Sequence, residues 1–171
     1  MTTVEWWKMR SPPGIAMPAG VTSSKDMAVF SAQGNFESDS GGVFVLHKGV
    51  KVEPLITNFF GRQFNSPHSL VLDHDAVWFT DPDCGFEQDF RNAPTLPPQV
   101  YMVRPATKEV RAMADGFARP TGLSFDSRGL TLYVCDSGAA STSANNISRC
   151  VLVSRATKNV PCHRRTSLTL S

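Results

Sequence analysis

No run of apolar residues in this chain is longer than four; Val43 to Leu46 and Ala76 to Phe79 are typical. A helix that crosses a bilayer needs roughly 20, so nothing is expected to span a membrane. The cysteines are few, Cys84, Cys135, Cys150 and Cys162, and no two have CxxC spacing. That argues against a zinc site or a small disulfide scaffold, and the expectation is scattered buried or half-buried thiols. Charge of neither sign is in excess. The 17 basic and 15 acidic residues give +2 and are spread along the chain, so no electrostatic footprint for nucleic acid is present before the tail, and nucleic acid is not an expected partner. The opening MTTVEWWKMRSPPGIAMPAG has no apolar h-region, because Glu5, Lys8 and Arg10 interrupt it, and a cytoplasmic protein is expected. Helical spacing is nowhere sustained.

What the chain does have is a period. Its 171 residues, 41% hydrophobic and 19% charged, suit one soluble globular domain. Setting Pro18 against Pro67, an offset of 67 − 18 = 49, lays PAGVTSSKDMAVFSA on PHSLVLDHDAVWFTD without a gap. Setting Pro67 against Pro120, an offset of 53, brings Leu70, Asp73 and Asp81 onto Leu123, Asp126 and Asp136 once two residues are added near Gly129. Each copy is followed by a second pattern: GVFVLHKGVKVEPLI, QVYMVRPATKEVRAM and RCVLVSRATKNV. Within strands the alternation has a period of two, with Val77 and Phe79 on one face and Trp78 and Thr80 on the other.

Four antiparallel strands recurring about every 50 residues are the mark of a β-propeller blade. The fold class expected is therefore all-β, an incomplete propeller of about three units, roughly 16–63, 64–116 and 117–160, with 161–171 a tail outside the sheets. Propellers have roughly 4–8 blades, so either the chain is a truncated product or its core is completed in another way. The last unit ends in the apolar strand Cys150 to Val153 without a cap, which predicts self-association. Two loops stand out. Asp81 to Pro98, rich in Pro, Asp and Asn, reads as an ordered excursion over one rim, and Ser137 to Ser148, small and polar, as a mobile connection.

The run from NFFGRQFNSPHSLVLDHDAVWFTDP through QVYMVRP to ADGFARPTGLSFDSRGLTLYVCDSGA resembles the gluconolactonase, or SMP-30/regucalcin-like, family in its fungal branch, over about residues 27 to 139. The resemblance implies a six-bladed propeller that hydrolyses lactones with one divalent cation, commonly calcium, at the top of the central channel. That chemistry needs a Lewis acid on the ring carbonyl, an activated water and a general base, and a hard cation takes oxygen ligands. At the family's ligand positions this chain departs. Ala16 stands where a Glu is usual, and His68 in PHS and Thr121 in PTG stand where Asn is usual. The later Asp, ligand and base in the family, has no counterpart.

Each candidate residue keeps two readings. His68 is an altered metal ligand, suited to borderline metals, or a polar loop histidine hydrogen-bonded at a strand entrance. Thr121 is a weak hydroxyl ligand or a turn residue. Asn65 lines the pocket or caps its turn. Asp81 faces substrate, or with Asp136 accepts hydrogen bonds from turn amides throughout the repeat. Arg62, Glu87 and Arg91 contact substrate or form a solvated rim. By resemblance the protein is a divalent-metal-dependent hydrolase of sugar or related lactones, with a small-molecule lactone as its partner. The alternative is a non-catalytic propeller remnant or binding module.

Overall fold

The computed structural model describes residues 15–24, 27–47, 51–138, 149–154 and 165–168. Three four-stranded antiparallel sheets follow one another along the chain. The first holds β1 (Pro18–Ser23), β2 (Met27–Ala32), β3 (Gly42–His47) and β4 (Val52–Ile56) in sequence order. A small hairpin, β5 (Asn58–Phe59) and β6 (Arg62–Gln63), leads out of it. The second sheet is built from β7 (Leu70–Asp73), β8 (Ala76–Asp81), β9 (Gln99–Val103) and β10 (Val110–Ala114), with the single-turn helix α1 (Cys84–Glu87) in the loop between β8 and β9. The third holds β11 (Pro120–Phe125), β12 (Thr131–Asp136), β13 (Arg149–Ser154) and β14 (Arg165–Leu168). No helix among the described residues is long and apolar enough to cross a membrane.

β7, the first strand of the second sheet, lies against β1, the first strand of the first, and β11, the first strand of the third, so the sheets fan outward as blades do. The period-two alternation explains why they stack. Every residue of β8 is buried, and successive side chains serve two different cores. Val77 and Phe79 join Val29, Val43 and Tyr101 between the first and second sheets. Ala76 and Trp78 join Phe117, Leu132 and Val134 between the second and third. Phe64, Phe79 and Tyr101 form an aromatic cluster with ring centroids 5.1 to 5.5 Å apart. Burying a side chain such as Phe79 fully is worth about 1.5–3 kcal/mol, so the middle sheet is held from both faces.

The strand entrances are irregular in the same way. Pairing shifts between Pro18 and Val21 in the first sheet and between Pro120 and Gly122 in the third. A proline has no N–H to give the ladder, so it sits where regular pairing begins. A serine or threonine hydroxyl fills the gap in two units. Gly20 N–H donates to Ser31 Oγ at 2.9 Å, and Ser69 N–H donates to Thr80 Oγ1 at 3.0 Å. In the third unit the register places Cys135 opposite Gly122, so a thiol replaces the hydroxyl.

Three expectations need correction. The segment 161–171 is not wholly a tail: Arg165–Leu168 pairs with β13 as the fourth strand of the third sheet. Cys150 to Val153 is therefore not the sheet's edge. An outermost strand gains little from burial, so the short polar RTSL carries no alternation by which to recognise it. The second inner strand, expected over Ser69 to Leu72, begins instead at Leu70, because Ser69 is occupied with Thr80. The excursion after Asp81 contains a single turn of helix. The connection expected to be mobile falls, from residue 139 to 148, outside the described residues.

Candidate functional site

Asp81 and Asp136 end their strands in the same manner. Asp81 is fully buried; its Oδ2 accepts from Asn65 N–H at 2.9 Å and its Oδ1 from Ser66 N–H at 2.8 Å. Asp136, 4% exposed, accepts from Ala118 N–H at 3.0 Å and Arg119 N–H at 2.6 Å. In both units the carboxylate clamps the turn that feeds the inner strand, so of the two readings of Asp81 the geometry has the one that serves turn amides. The first unit has Ala32 at this place, 81 − 49 = 32. There Gln33 and Gly34 N–H donate instead to the carbonyls of Met17 and Ala16, each at 2.9 Å. Burial pushes the Asp81 carboxyl up to about 7, against the lowering influence of its two amide donors and of Arg91.

His68 stands where all three sheets meet. Its Nδ1 lies 2.9 Å from the main-chain carbonyl oxygen of Thr121, its N–H donates to Thr80 O at 2.9 Å, and its carbonyl accepts from Ser31 Oγ at 2.5 Å. A carbonyl only accepts, so Nδ1 carries the hydrogen and Nε2 holds the lone pair of the neutral ring. His68 and Thr121 are thus brought together, with Thr121 contributing its backbone rather than its hydroxyl.

The excursion after Asp81 is fastened on both sides. Arg91 was expected on a solvated rim or against substrate; it is 6% exposed. Its Nε donates to Asn65 O at 2.9 Å, its Nη2 to Phe64 O, and its Nη1 to Asn35 O at 2.8 Å and Ser40 Oγ at 3.3 Å. One guanidinium therefore holds the loop of the first unit to the entrance of the second. Gly85 makes room for it: a Cβ there would lie 2.3 Å from Arg91 Cγ and 2.6 Å from Ser66 Oγ. Ser66 Oγ in turn accepts from Gly85 N–H at 2.7 Å. On the other side Glu87 forms an ion pair with Arg119 of the third unit.

Beside these groups lies a recess of about 660 Å³, whose wall includes Arg62, Gln63, Asn65, Arg91, Asn92 and Thr95. Three residues with a substrate-facing reading, Arg62, Asn65 and Arg91, share it; Asp81 is not among its lining residues. Asn65 is 6% exposed, and its Nδ2 donates to Leu96 O at 3.0 Å. Its Oδ1 is buried without a hydrogen-bond partner, as is the hydroxyl of Tyr101.

Calcium takes roughly 6–8 oxygen ligands, carboxylates prominent among them. The carboxylates nearest the strand entrances, Asp81 and Asp136, have both oxygens committed to backbone amides. The side chain brought to the convergence is the imidazole of His68, with Thr121 contributing its carbonyl. Among the described residues no group of three or more His, Cys, Asp or Glu is placed to hold a metal ion. This donor set does not fit calcium.

No family model matches the chain. Over 93 residues it is 34% identical to the lactonohydrolase OryL of Aspergillus oryzae, a match covering 53% of this chain and 21% of that protein. A gluconolactonase of Xanthomonas campestris superposes with a TM-score of 0.68 at 24% identity, covering 82% of this chain and 44% of its own. A second solved structure, described provisionally as a gluconolactonase, gives a TM-score of 0.65 at 20% identity over 83% and 45%. The chain thus spans about a fifth of the curated relative and less than half of the solved ones. Over about half of its length the chain is similar in sequence to a lactonohydrolase, and over most of its length it has the fold of these solved structures.

Proposed function

We propose that the protein is a gluconolactonase-like propeller that recognises a sugar lactone or related cyclic ester, and that its described residues bind this ligand rather than hydrolyse it. The relatives supply the lactone. The observation that carries the second half is the double clamp: the buried aspartates at the ends of β8 and β12 each accept two backbone N–H bonds. Asp81 is fully buried and Asp136 only 4% exposed, so neither carboxylate is presented to an incoming cation or to a water that a base would deprotonate.

A second reading, metal-assisted hydrolysis, is favoured by the 34% identity to a lactonohydrolase and by the Nε2 lone pair of His68. It requires carboxylate ligands from outside the described residues. The experiment is calorimetric titration of gluconolactone into the 171-residue chain, paired with the rate of ring opening with and without calcium. Binding with ring opening at the spontaneous rate is the expected result. Calcium-dependent acceleration abolished by His68→Ala would replace this proposal with the second reading, and absence of binding would refute it.

A further inference from the structure

In the register of β12 against β13, Cys135 stands directly opposite Cys150. The kind of antiparallel site they occupy decides what two thiols there can do. Asp126 N–H donates to Thr131 O at 2.9 Å, and Ser137 N–H donates to Arg119 O at 2.8 Å. At the start of β12 and just past its end, the main-chain groups of these residues therefore point toward β11. Such groups alternate sides along a strand, and β12 pairs with β13 without a register shift, so those of Cys135 point toward β11 as well. Cys135 and Cys150 are thus a non-hydrogen-bonded pair, the closer of the two kinds, with opposed Cα atoms about 4.5 Å apart. A disulfide spans Cα separations of about 4.4–6.8 Å.

The other two units give an independent comparison. At the equivalent place they pair Ser31 with Val43 and Thr80 with Val100, and all four of these residues are fully buried. Of the three units, only the third has cysteine at both places, and its Cys135 is exposed. The neighbour of Cys135 on β11 is Gly122, where an added Cβ would lie 3.3 Å from Cys135 Cβ, so that strand lays no side chain over the thiol.

We propose that Cys135 and Cys150 form a redox modification site, a thiol pair that a peroxide converts to a disulfide and a small thiol reduces again. The Cys135 thiolate attacks one oxygen of hydrogen peroxide and displaces hydroxide, giving a sulfenic acid. The Cys150 thiolate then attacks that sulfur and displaces a second hydroxide as the S–S bond forms. In all, the two thiols lose two electrons and two protons, and the peroxide becomes two waters. Because about 4.5 Å is at the short end of what a disulfide spans, the bond is one that thiols reduce readily. While it lasts it fastens β13 to β12 and closes residues 135–150 into a loop. Nothing in this depends on the lactone.

The four cysteines fall in four different tryptic peptides, because Arg91, Arg128, Arg149, Arg155 and Lys158 separate them. The test is to treat the 171-residue chain with hydrogen peroxide, block free thiols with iodoacetamide, and read the unreduced digest by mass spectrometry. Expected is a linkage between peptides 129–149 and 150–155, within one chain on a non-reducing gel and absent after excess reduced glutathione. The oxidised chain should melt at least about 5 °C above the reduced one. Cys135→Ser should abolish both the linkage and the shift, and it does not endanger the fold, since the first unit has Ser31 at that place. Cys162→Ser should leave both unchanged. Alkylation of both Cys135 and Cys150 after peroxide, a linkage of either to Cys162 or to a second chain, or a shift that persists in Cys135→Ser would each overturn the proposal. A linkage that glutathione leaves intact would overturn it too, since the bond would then be a permanent one.

Discussion

His68 and Thr121, 53 residues apart in the chain, are joined by a 2.9 Å hydrogen bond from an imidazole nitrogen to a main-chain carbonyl. This bond links the second sheet to the third, while the His68 carbonyl, accepting from Ser31 Oγ, links the second to the first. His68, expected at a ligand position, is a joint between blades.

The joint predicts a tautomer. Because Thr121 O accepts, His68 should carry its hydrogen on Nδ1, and nitrogen NMR of the neutral ring should show Nε2 as the unprotonated site. His68→Ala should cost about 1 kcal/mol in urea unfolding, one net hydrogen bond. Thr121→Val should stay within about 0.5 kcal/mol, since only the Thr121 backbone is used. The reverse order would make the Thr121 hydroxyl, not the main chain, the important group.

Asp81 should make stability depend on pH. Its carboxyl titrates near 7 in the folded protein, above the ordinary 3.8, chiefly because it is buried. Between about pH 4 and pH 7 the unfolded chain has released this proton and the folded chain retains it. The folded state then binds more protons, so stability is greatest below pH 4 and falls as pH rises through that window. Asp81→Asn should flatten this part of the profile, whereas Asp81→Ala, which leaves two buried N–H groups without acceptors, should cost on the order of 3 kcal/mol at any pH in the window. A profile that rises from pH 4 to 7 and is unaffected by Asp81→Asn would contradict the assignment.

Gly85, packed beside Arg91, should not tolerate a side chain. An added Cβ would meet Arg91 Cγ at 2.3 Å, Ser66 Oγ at 2.6 Å and the Phe90 ring at 2.9 Å. Overpacking of this kind costs about 1–3 kcal/mol. Gly61→Ala is the comparison: its φ is +81° but nothing lies within 4 Å of the new atom, so only backbone strain remains, about 1 kcal/mol. Chemical denaturation should rank Gly85→Ala as the more damaging.

The blades were legible because the middle sheet obeys two rules at once, a repeat near 50 residues and a period of two. Val77 and Phe79 alternate with Trp78 in the sequence, and the two faces so marked meet the two neighbouring cores. The equivalence of Asp81 and Asp136 was visible for the same reason. Arg91 was not legible. An arginine in a polar, proline-rich loop reads as solvated, and its burial depends on Asn35 and Ser40, more than 50 residues away, and on a glycine left open for it. β14 was missed because an outer strand needs pairing but little burial. The orphaned Asn65 Oδ1 follows from Nδ2 finding Leu96 O, a contact that no spacing announces.

The claim on which the account turns is that Asp81 and Asp136 fasten turns and do not hold a cation. Thermal melts of the 171-residue chain across a calcium series test it directly. A ligand at a hundredfold excess over Kd stabilises the folded state by about 2.7 kcal/mol, a shift of several degrees for a domain of this size. The account predicts a Tm that does not move with calcium. A saturable rise with calcium, lost in Asp81→Asn, would show that the carboxylate leaves its amides for a metal ion and would contradict it.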